Sequence, residues 1–374
     1  MESVEAVIVL KSDIEKKDIA YIHSKAKEEF EVLGGNSVLL TGANGFLGFY
    51  LVKSILAWND SNPNKKIKLY ALSTFKKGMP KWLKEIKGRK DLVVLRKDIG
   101  EYKLPLGIAF DYIIHGASFA SPTFYRQDPI GTINANILGL YNVLNYMVQR
   151  RKKSRAVSGL LFFSSSEVYG DPTEGNIPTP ETYRGNVSCT GPRACYDESK
   201  RFGETLCINH VKAYGLPIRS ARPCNNYGPG MKITDGRVIA DFSKDILENE
   251  DIVMFSDGSP SRAFCYVADG IVGYLKVLIK GRDGEAYNIG VAGPEVSMLN
   301  LAKKIVKIGK DNFHYSGKIV TKKNKDNDYL IDNPSRRCPM IDKARKELGY
   351  APQISIDEGL ERVLRWYHDI YYRA

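Results

Sequence analysis

Tyr196 and Lys200 are the residues whose types and spacing point most directly to acid–base chemistry. They lie four positions apart in residues 196–214, whose pattern predicts a helix, so both side chains share one face. A cationic ammonium beside a phenol lowers the phenol pKa from its usual value of about 10. The spacing therefore predicts that Tyr196 abstracts a proton near neutral pH with Lys200 as its partner.

Three glycines between a predicted strand and a predicted helix indicate a dinucleotide site. Residues 37–41 are a short apolar run and residues 46–58 have helical periodicity. Glycine permits a tight turn and a close backbone approach to a pyrophosphate, and the helix N-terminus offers N–H groups to that anion. We expect the cofactor to contact this turn at Gly42, Asn44, Gly45, Phe46, Leu47 and Gly48.

The end of the second predicted strand leaves the choice of dinucleotide open. An acidic residue usually binds the adenosine ribose here, but Ser73 and Thr74 are followed by Lys76 and Lys77. The missing acid and the two lysines leave NADP, with its 2′-phosphate, as an alternative to NAD. The lysines could equally face solvent.

Asp98, followed by Ile99, comes directly after the third predicted strand. Its carboxylate could accept a hydrogen bond from the adenine amino group. An acid at this place could also cap the end of the strand, and the sequence favours neither interpretation.

A polar run, residues 164–170, follows the strand predicted over residues 160–164. Ligands bind beyond the carboxyl ends of the strands in a parallel sheet. We therefore expect the hydroxyls of Ser165 and Ser166 and the carboxylate of Glu167 to face the site. A serine run by itself is more often a turn.

These residues need a scaffold, and the alternation of short apolar strands with helices predicts one. The pattern is typical of an α/β fold with a Rossmann-type, doubly wound parallel sheet and a smaller C-terminal substrate-binding lobe. The predicted strands are residues 37–41, 67–72, 92–95, 112–114, 160–164 and 218–221, and the main helices are residues 46–58, 134–150 and 196–214.

The chain divides into three parts by composition. Residues 1–36 have helical spacing of apolar side chains up to Gly34 and Gly35 and are predicted to form an N-terminal helical extension. After about residue 226 the chain becomes rich in Gly, Pro and charged residues, except for an apolar stretch over residues 263–279 that we expect to return to the sheet. The dinucleotide-binding domain is therefore predicted as residues 37–225 and 264–292, and the lobe as residues 226–263 and 293–374.

Composition excludes several classes of protein. The 374 residues carry 55 Lys and Arg against 43 Asp and Glu, a net charge of +12, and 43% of them are hydrophobic. That is ample for a buried core, so a disordered or fibrous chain is excluded. The basic residues are scattered, so we expect a solvated surface and no nucleic-acid partner.

Targeting and metal signals are lacking in the sequence. No apolar run approaches the roughly 18 residues that span a bilayer, and the acidic first residues do not resemble a signal peptide. We expect a cytoplasmic protein without a membrane partner. The six cysteines form no C-x-x-C pair and the five histidines form no metal-binding motif, so free thiols and no metal are expected.

Longer segments strengthen the interpretation, because the chain resembles the extended short-chain dehydrogenase/reductase family of nucleotide-sugar enzymes over about residues 37–374. Within that family it is most similar to the branch that decarboxylates UDP-glucuronate. The segments that carry the resemblance are residues 115–122, 181–187, 191–200, 235–238, 262–267 and 336–345.

The resemblance implies a role for each matching position. Tyr196 would be the catalytic base, Lys200 its ribose-binding partner, and Ser165 a hydrogen-bond partner of the sugar C4 hydroxyl. Glu167 would act near C5 and C6 of the sugar. Arg262 would bind the diphosphate or assist protonation.

The resemblance also implies contacts to the ligands. Asn225 and Arg237 would hold the nucleotide diphosphate. Further expected cofactor contacts are Ser73, Thr74, Asp98, Ile99, Ala117, Ser118 and Pro223. Further expected substrate contacts are Ser121, Tyr125 and Ser166.

The implied activity is an NAD-dependent decarboxylation of UDP-glucuronate to UDP-xylose, or to its 4-keto intermediate, in a homodimer. The alternatives are a nucleotide-sugar 4,6-dehydratase, a 4-epimerase, and a non-catalytic dinucleotide sensor or basic RNA-binding protein on the same fold. Ser166 stands where many dehydratases have Asp, and Glu167 would have little to do in an epimerase. A sensor would need no base. The chain departs from the family pattern at Ser73, at Cys224 and around Tyr183.

Overall fold

The computed structural model of the protein describes residues 10, 12–153, 155–323 and 331–373. Its centre is a seven-stranded sheet. The strands of this sheet are β1 Ser37–Thr41, β2 Lys68–Ser73, β3 Leu92–Arg96, β4 Tyr112–His115, β5 Gly159–Phe163, β6 Ile218–Pro223 and β11 Ala286–Ile289.

The sheet is parallel throughout, in the order β11-β6-β5-β4-β1-β2-β3. The strand order reverses between β1 and β4, which is where a doubly wound sheet opens a crevice for a ligand. The predicted Rossmann-type fold is therefore confirmed. The short strand β11 was not among the strands predicted from the sequence.

Thirteen α-helices are described. They are α1 Asp13–Lys25, α2 Lys27–Leu33, α3 Phe46–Ser61, α4 Lys81–Ile86, α5 Pro122–Gln127, α6 Pro129–Ile133, α7 Gly139–Arg151, α8 Ala194–Tyr214, α9 Val238–Leu247, α10 Val267–Lys280, α11 Met298–Phe313, α12 Asp342–Leu348 and α13 Ile356–Tyr367. A π-helical segment, Asn134–Leu138, joins α6 to α7, and a 3₁₀ turn, Ser166–Tyr169, follows β5.

The sheet is covered on both faces, which explains why its strands are almost continuously apolar. Alternate residues of β1 enter different cores: Val38 and Leu40 pack with α3 and α10, whereas Leu39 packs with α7. Because both faces of the sheet are covered, we expect the polar side chains that bind a ligand to lie at the carboxyl ends of its strands.

Two helices, α1 and α2, precede the first strand, and they pack into the core on the side of α3 and α10. The apolar positions Ile19, Ile22 and Phe30 of the predicted extension are buried there. Residues 1–9 of the predicted extension lie outside the described part of the chain. The division into domains stays a prediction.

The region after residue 226 contains three small sheets and several helices. The strands are β7 Asn226–Tyr227, β8 Ile252–Met254, β9 Ser261–Arg262, β10 Cys265–Tyr266, β12 Val296–Ser297, β13 Ile319–Thr321 and β14 Arg336–Arg337. Residues 263–279, which were expected to return to the sheet, form mostly α10, and this helix packs against the sheet without adding a strand to it. The strand that joins the sheet, β11, comes after α10.

Within the described ranges, no helix is both long and apolar enough to cross a membrane. In the same part of the chain, no three His, Cys, Asp or Glu side chains are grouped as a metal site would need.

Candidate active site

The predicted site residues gather along the carboxyl edge of the sheet. At least one predicted site residue lies at the end of each strand from β1 to β6, or within one turn after it. The others lie on or next to α5, α8, α9 and β9. The glycine turn follows β1, Ser73 ends β2, Asp98 follows β3, Ala117 follows β4, Ser165 follows β5 and Pro223 ends β6.

The glycine turn has the geometry that a dinucleotide requires. Gly42 has a φ of +76°, and a Cβ on it would lie 2.6 Å from the carbonyl oxygen of Gly116. A Cβ on Gly48 would lie 2.5 Å from the carbonyl oxygen of Gly42. Gly45 precedes α3 and has no side chain to cap it, so the first N–H groups of α3 can bind an anion. These residues fit a bound dinucleotide.

The two lysines after β2 already have neighbours. The Lys76 ammonium lies 4.0 Å from the Asp98 carboxylate, and the Lys77 ammonium lies 5.0 Å from the centre of the Phe124 ring. Asp98 also accepts a hydrogen bond from the Gly100 N–H at 3.0 Å, as an acid capping a strand end would. The geometry is compatible with either of the interpretations given to Asp98 above.

Tyr196 is buried in the site, with 6% of its surface exposed. Its ring stacks on that of Tyr125, with centres 5.1 Å apart and planes 12° apart. Burial raises the pKa of Tyr196 to about 12, and the Ser165 hydroxyl, which hydrogen-bonds to the phenol, offsets part of that rise. Ser165 and Tyr125 are thus brought to Tyr196.

Lys200 lies beside Tyr196 and is also bonded to the backbone of β5. Its ammonium donates a hydrogen bond to the Phe163 carbonyl at 2.8 Å and lies 5.6 Å from the centre of the Tyr196 ring. Burial lowers the pKa of Lys200 to about 7, so the amine is only partly charged at neutral pH. In the protein alone, burial dominates the pKa of both groups. The expected effect of Lys200 on the phenol pKa stays a prediction for the complex with ligands.

Glu167 is held by two arginines. Arg337 donates from both Nη atoms to the two carboxylate oxygens at 2.6 Å, and Arg193 donates to one of them. Burial would raise the pKa of Glu167, but the two guanidinium charges outweigh it and hold the pKa below its usual value. The Glu167 N–H bonds to the Ser165 hydroxyl at 3.2 Å, so this ion cluster sits directly beside the expected sugar position.

Positive charge is in excess around this cluster. Arg193, Arg262 and Arg337 lie close enough to influence one another electrostatically, with Glu167 as the ionised acid among them. The pKa of Asp197 is raised to about 7, first by burial and then by Glu167, so it neutralises Arg193 only in part. Arginines buried without a full complement of carboxylates favour an anionic ligand.

Arg262 is hydrogen-bonded to four neighbouring residues of the protein. It donates to the backbone carbonyls of Ser261, Pro334 and Ser335 and to the Asn333 side chain, at 2.6 to 3.2 Å. Arg262 therefore lies near the cluster, but most of its hydrogen bonds go to the neighbouring residues 333–335. Its expected contact with the diphosphate stays a prediction.

The other predicted substrate residues are spread around the cleft. Ser121 donates to the Asp235 carbonyl at 2.7 Å, and Asn225 donates to the Ala263 carbonyl at 3.0 Å. Arg237 pairs with the Asp235 carboxylate and lies over the Phe46 ring at 5.6 Å. Arg237 is near enough to Tyr196 to lower its pKa, whereas Asn225 supports the backbone.

A cleft of about 470 Å³ opens beside the start of α8. It reaches Cys195, the residue before Tyr196. Its lining residues are Thr123, Arg126, Gln127, Pro129, Gly191, Pro192 and Cys195.

Sequence reasoning missed the arginines that bind Glu167. Arg193 is three positions before Tyr196 and Arg337 lies 170 positions after Glu167, within a segment that carried the resemblance but had no assigned role. A buried carboxylate needs a cation, but the sequence placed Glu167 only at the end of a strand facing the site and gave no sign of its burial. Nothing in local spacing would have selected these two.

We expect Lys200→Met to stabilise the folded protein while abolishing activity. The pKa of Lys200 falls from 10.5 to about 7 on burial, so its charge opposes folding. This penalty is full at and below pH 7 and fades as pH rises towards 10.5. The melting temperature should rise by several degrees at pH 7 and change little near pH 10.

Lys212→Met, at an exposed position of the same helix, is the matched control and should leave the melting temperature unchanged. An unchanged or lower melting temperature for Lys200→Met at pH 7 would contradict the assignment of a destabilising buried amine.

Comparison with known proteins agrees with this geometry. Residues 38–290 match the family model of the NAD dependent epimerase/dehydratase family. UDP-glucuronic acid decarboxylase 3 of Arabidopsis thaliana is 36% identical over 323 residues, 86% of this chain and 86% of that one. UDP-glucuronic acid decarboxylase 1 of Danio rerio is 32% identical over 365 residues, 97% of this chain and 80% of that one.

Among solved structures, dTDP-glucose 4,6-dehydratase from Streptomyces venezuelae, determined with NAD bound, matches with a TM-score of 0.73 at 25% identity. The match covers 89% of this chain and 97% of that one. The resemblance inferred from the sequence is thus confirmed. With a family match over residues 38–290 and relatives above 30% identity along most of their length, the chain belongs to the NAD dependent epimerase/dehydratase family.

Proposed function

We propose that this protein decarboxylates UDP-glucuronate, forming UDP-xylose or its 4-keto intermediate. The observation that carries the choice of sugar is the group of three buried guanidinium groups, Arg193, Arg262 and Arg337, around the single carboxylate of Glu167. A hexuronate brings a carboxylate that such a site would bind, whereas a neutral hexose does not. The relatives named UDP-glucuronic acid decarboxylase support the same choice.

Acid–base chemistry is the task proposed for Tyr196. In its ionised form, the phenol would accept the proton of the sugar C4 hydroxyl, and Ser165 would hydrogen-bond to the same oxygen. Because the pKa of Tyr196 is about 12 in the protein alone, ligand charges and a protonated Lys200 must lower it in the working complex.

Glu167 is proposed to steer the sugar. Oxidation at C4 makes a ketone β to the carboxylate, so carbon dioxide can leave and the electrons pass to an enolate oxygen. Hydroxyls of Ser165 and Tyr196 would donate to that oxygen. Glu167 stays ionised between its arginines, so we assign it to orienting the C5–C6 end and not to donating a proton from its resting state.

NAD is the proposed cofactor, bound by the glycine turn and the first turn of α3. When bound it would accept a hydride from C4 and return it. Lys76 already lies near the Asp98 carboxylate, so a 2′-phosphate would have to compete for that lysine, which favours NAD over NADP.

A second copy of the chain is the proposed protein partner. Large apolar side chains are exposed on α6, the π-helical segment, α7 and α8, the elements around the helices for which dimer packing is expected. They are Ile130 at 66%, Ile133 at 38%, Leu138 at 47%, Tyr141 at 47% and Phe202 at 49% exposure. Clustered exposed apolar residues mark interfaces, and packing against the same face of a second copy would be isologous.

We expect purified protein incubated with NAD and UDP-glucuronate to give a product lighter by one carbon dioxide, read by mass spectrometry. Tyr196→Phe lacks the base and should lower the rate by about 10²–10⁴-fold, whereas Tyr214→Phe, exposed at the end of the same helix, should match the unaltered protein. Loss of water, an unchanged mass with inverted C4, or no reaction would instead support a dehydratase, an epimerase or a sensor, and each would refute the proposal.

We expect Leu138→Asp to convert a dimer into a monomer, because a charge placed in an apolar interface is not solvated. Light scattering at micromolar concentration measures this. Val32→Asp, at a 44% exposed position on α2, serves as the control and should stay dimeric. If the unaltered protein is already a monomer, the dimer proposal fails.

A further inference from the structure

Asp18 is a fully buried acid in helix α1, and the proposed chemistry gives it no role. Its carboxylate accepts hydrogen bonds from the Tyr50 hydroxyl at 2.6 Å, the Tyr266 hydroxyl at 2.7 Å and the Arg362 guanidinium at 2.5 Å. Burying a carboxylate is unfavourable unless hydrogen bonds replace its hydration, and the three donors supply those bonds.

The three donors belong to three separate elements. Tyr50 lies on α3, which begins at the glycine turn, Tyr266 ends β10, and Arg362 lies on α13 near the end of the chain. Glu15, one turn before Asp18, repeats the arrangement: it pairs with Lys53 of α3 at 2.5 Å and accepts from the Trp366 indole of α13 at 3.0 Å. One face of α1 therefore joins α3 to α13.

The same two helices reach the site near Arg237. Phe46, one helical turn before Tyr50, lies under the Arg237 guanidinium. Tyr367, five positions after Arg362, is buried and lies close enough to Arg237 for that charge to lower its pKa. Arg237 itself precedes α9, which packs against α13. Arg237 therefore contacts α3 through Phe46 and is linked to α13 through Tyr367 and α9.

We propose that Asp18 is a positioning residue for Arg237: by bonding to both α3 and α13, it sets the place of the guanidinium that binds the nucleotide diphosphate. The inference rests on the proposed function for its ligand. It assigns the N-terminal helix a part in substrate affinity, although no residue of α1 lies at the carboxyl edge of the sheet.

The test compares Asp18→Asn with Asp13→Asn. Asn keeps the size of the side chain but removes the negative charge that pairs with Arg362. Asp13 is an exposed acid of the same helix that pairs with Lys16. We expect Asp18→Asn to raise the KM and the calorimetric Kd for UDP-glucuronate roughly tenfold. The kcat and the amount of bound NAD should change less than about twofold, as expected for lost substrate positioning alone.

Hydrogen exchange gives a readout independent of activity. In Asp18→Asn without ligand, amides of residues 235–241 should exchange faster, while those of the central strand β4 stay protected and Asp13→Asn matches the unaltered protein. If no nucleotide sugar is turned over by any form, the proposed function fails, and this exchange pattern still decides the positioning claim.

Two results would overturn the proposal. One is a lower melting temperature for Asp18→Asn with unchanged KM, Kd and exchange at residues 235–241, which would make Asp18 a structural residue only. The other concerns Tyr50→Phe, which removes the hydrogen bond from α3 to Asp18 and keeps the Asp18–Arg362 pair in case Asp18→Asn does not fold. It should shift KM in the same direction by a smaller factor, and an unchanged KM together with unchanged exchange would refute the claim.

Discussion

The carboxylate of Glu167, buried between Arg193 and Arg337, is the interaction on which the rest of the site depends. It joins the turn after β5 to the start of α8 and to β14, so one ion cluster fixes a strand end, the helix that carries the base and a strand from the C-terminal region. Removing one partner of a buried pair costs about 3–5 kcal/mol. The positive charge of Arg193, Arg262 and Arg337 that carboxylates do not compensate favours an anionic substrate.

Burial governs the base as strongly as it governs the ion cluster. In the protein alone it raises the pKa of Tyr196 to about 12 and lowers that of Lys200 to about 7. Around neutral pH the phenol is therefore neutral and the amine only partly charged, and the proposed proton transfer depends on the charges that ligands bring. The buried amine of Lys200 opposes folding, and active sites commonly retain such destabilising groups because function requires them.

The sequence predicted most of the fold because its signals are local. The strand over residues 37–41, the start of α3 at Phe46 and the parallel sheet follow from short apolar runs, glycines and helical periodicity. The strand β11 was missed because four residues, Ala286–Ile289, carry too little pattern. At the site, Tyr196 and Ser165 are brought together as expected, but the partners of Glu167 were not predictable from spacing, since Arg337 is 170 positions away. The pKa values of Tyr196 and Lys200 depend on burial, which only the tertiary structure defines.

The Glu167 cluster is proposed to make this site a decarboxylase, and rapid mixing of Glu167→Gln with UDP-glucuronate is the decisive experiment. Absorbance at the reduced nicotinamide band would be followed together with product masses, with Glu198→Gln, a partly exposed acid of α8, as control. We expect the folded variant to bind the nucleotide sugar and to accumulate reduced cofactor, but to release carbon dioxide slowly. A folded Glu167→Gln protein with unchanged turnover would remove the cluster from the mechanism and contradict the account.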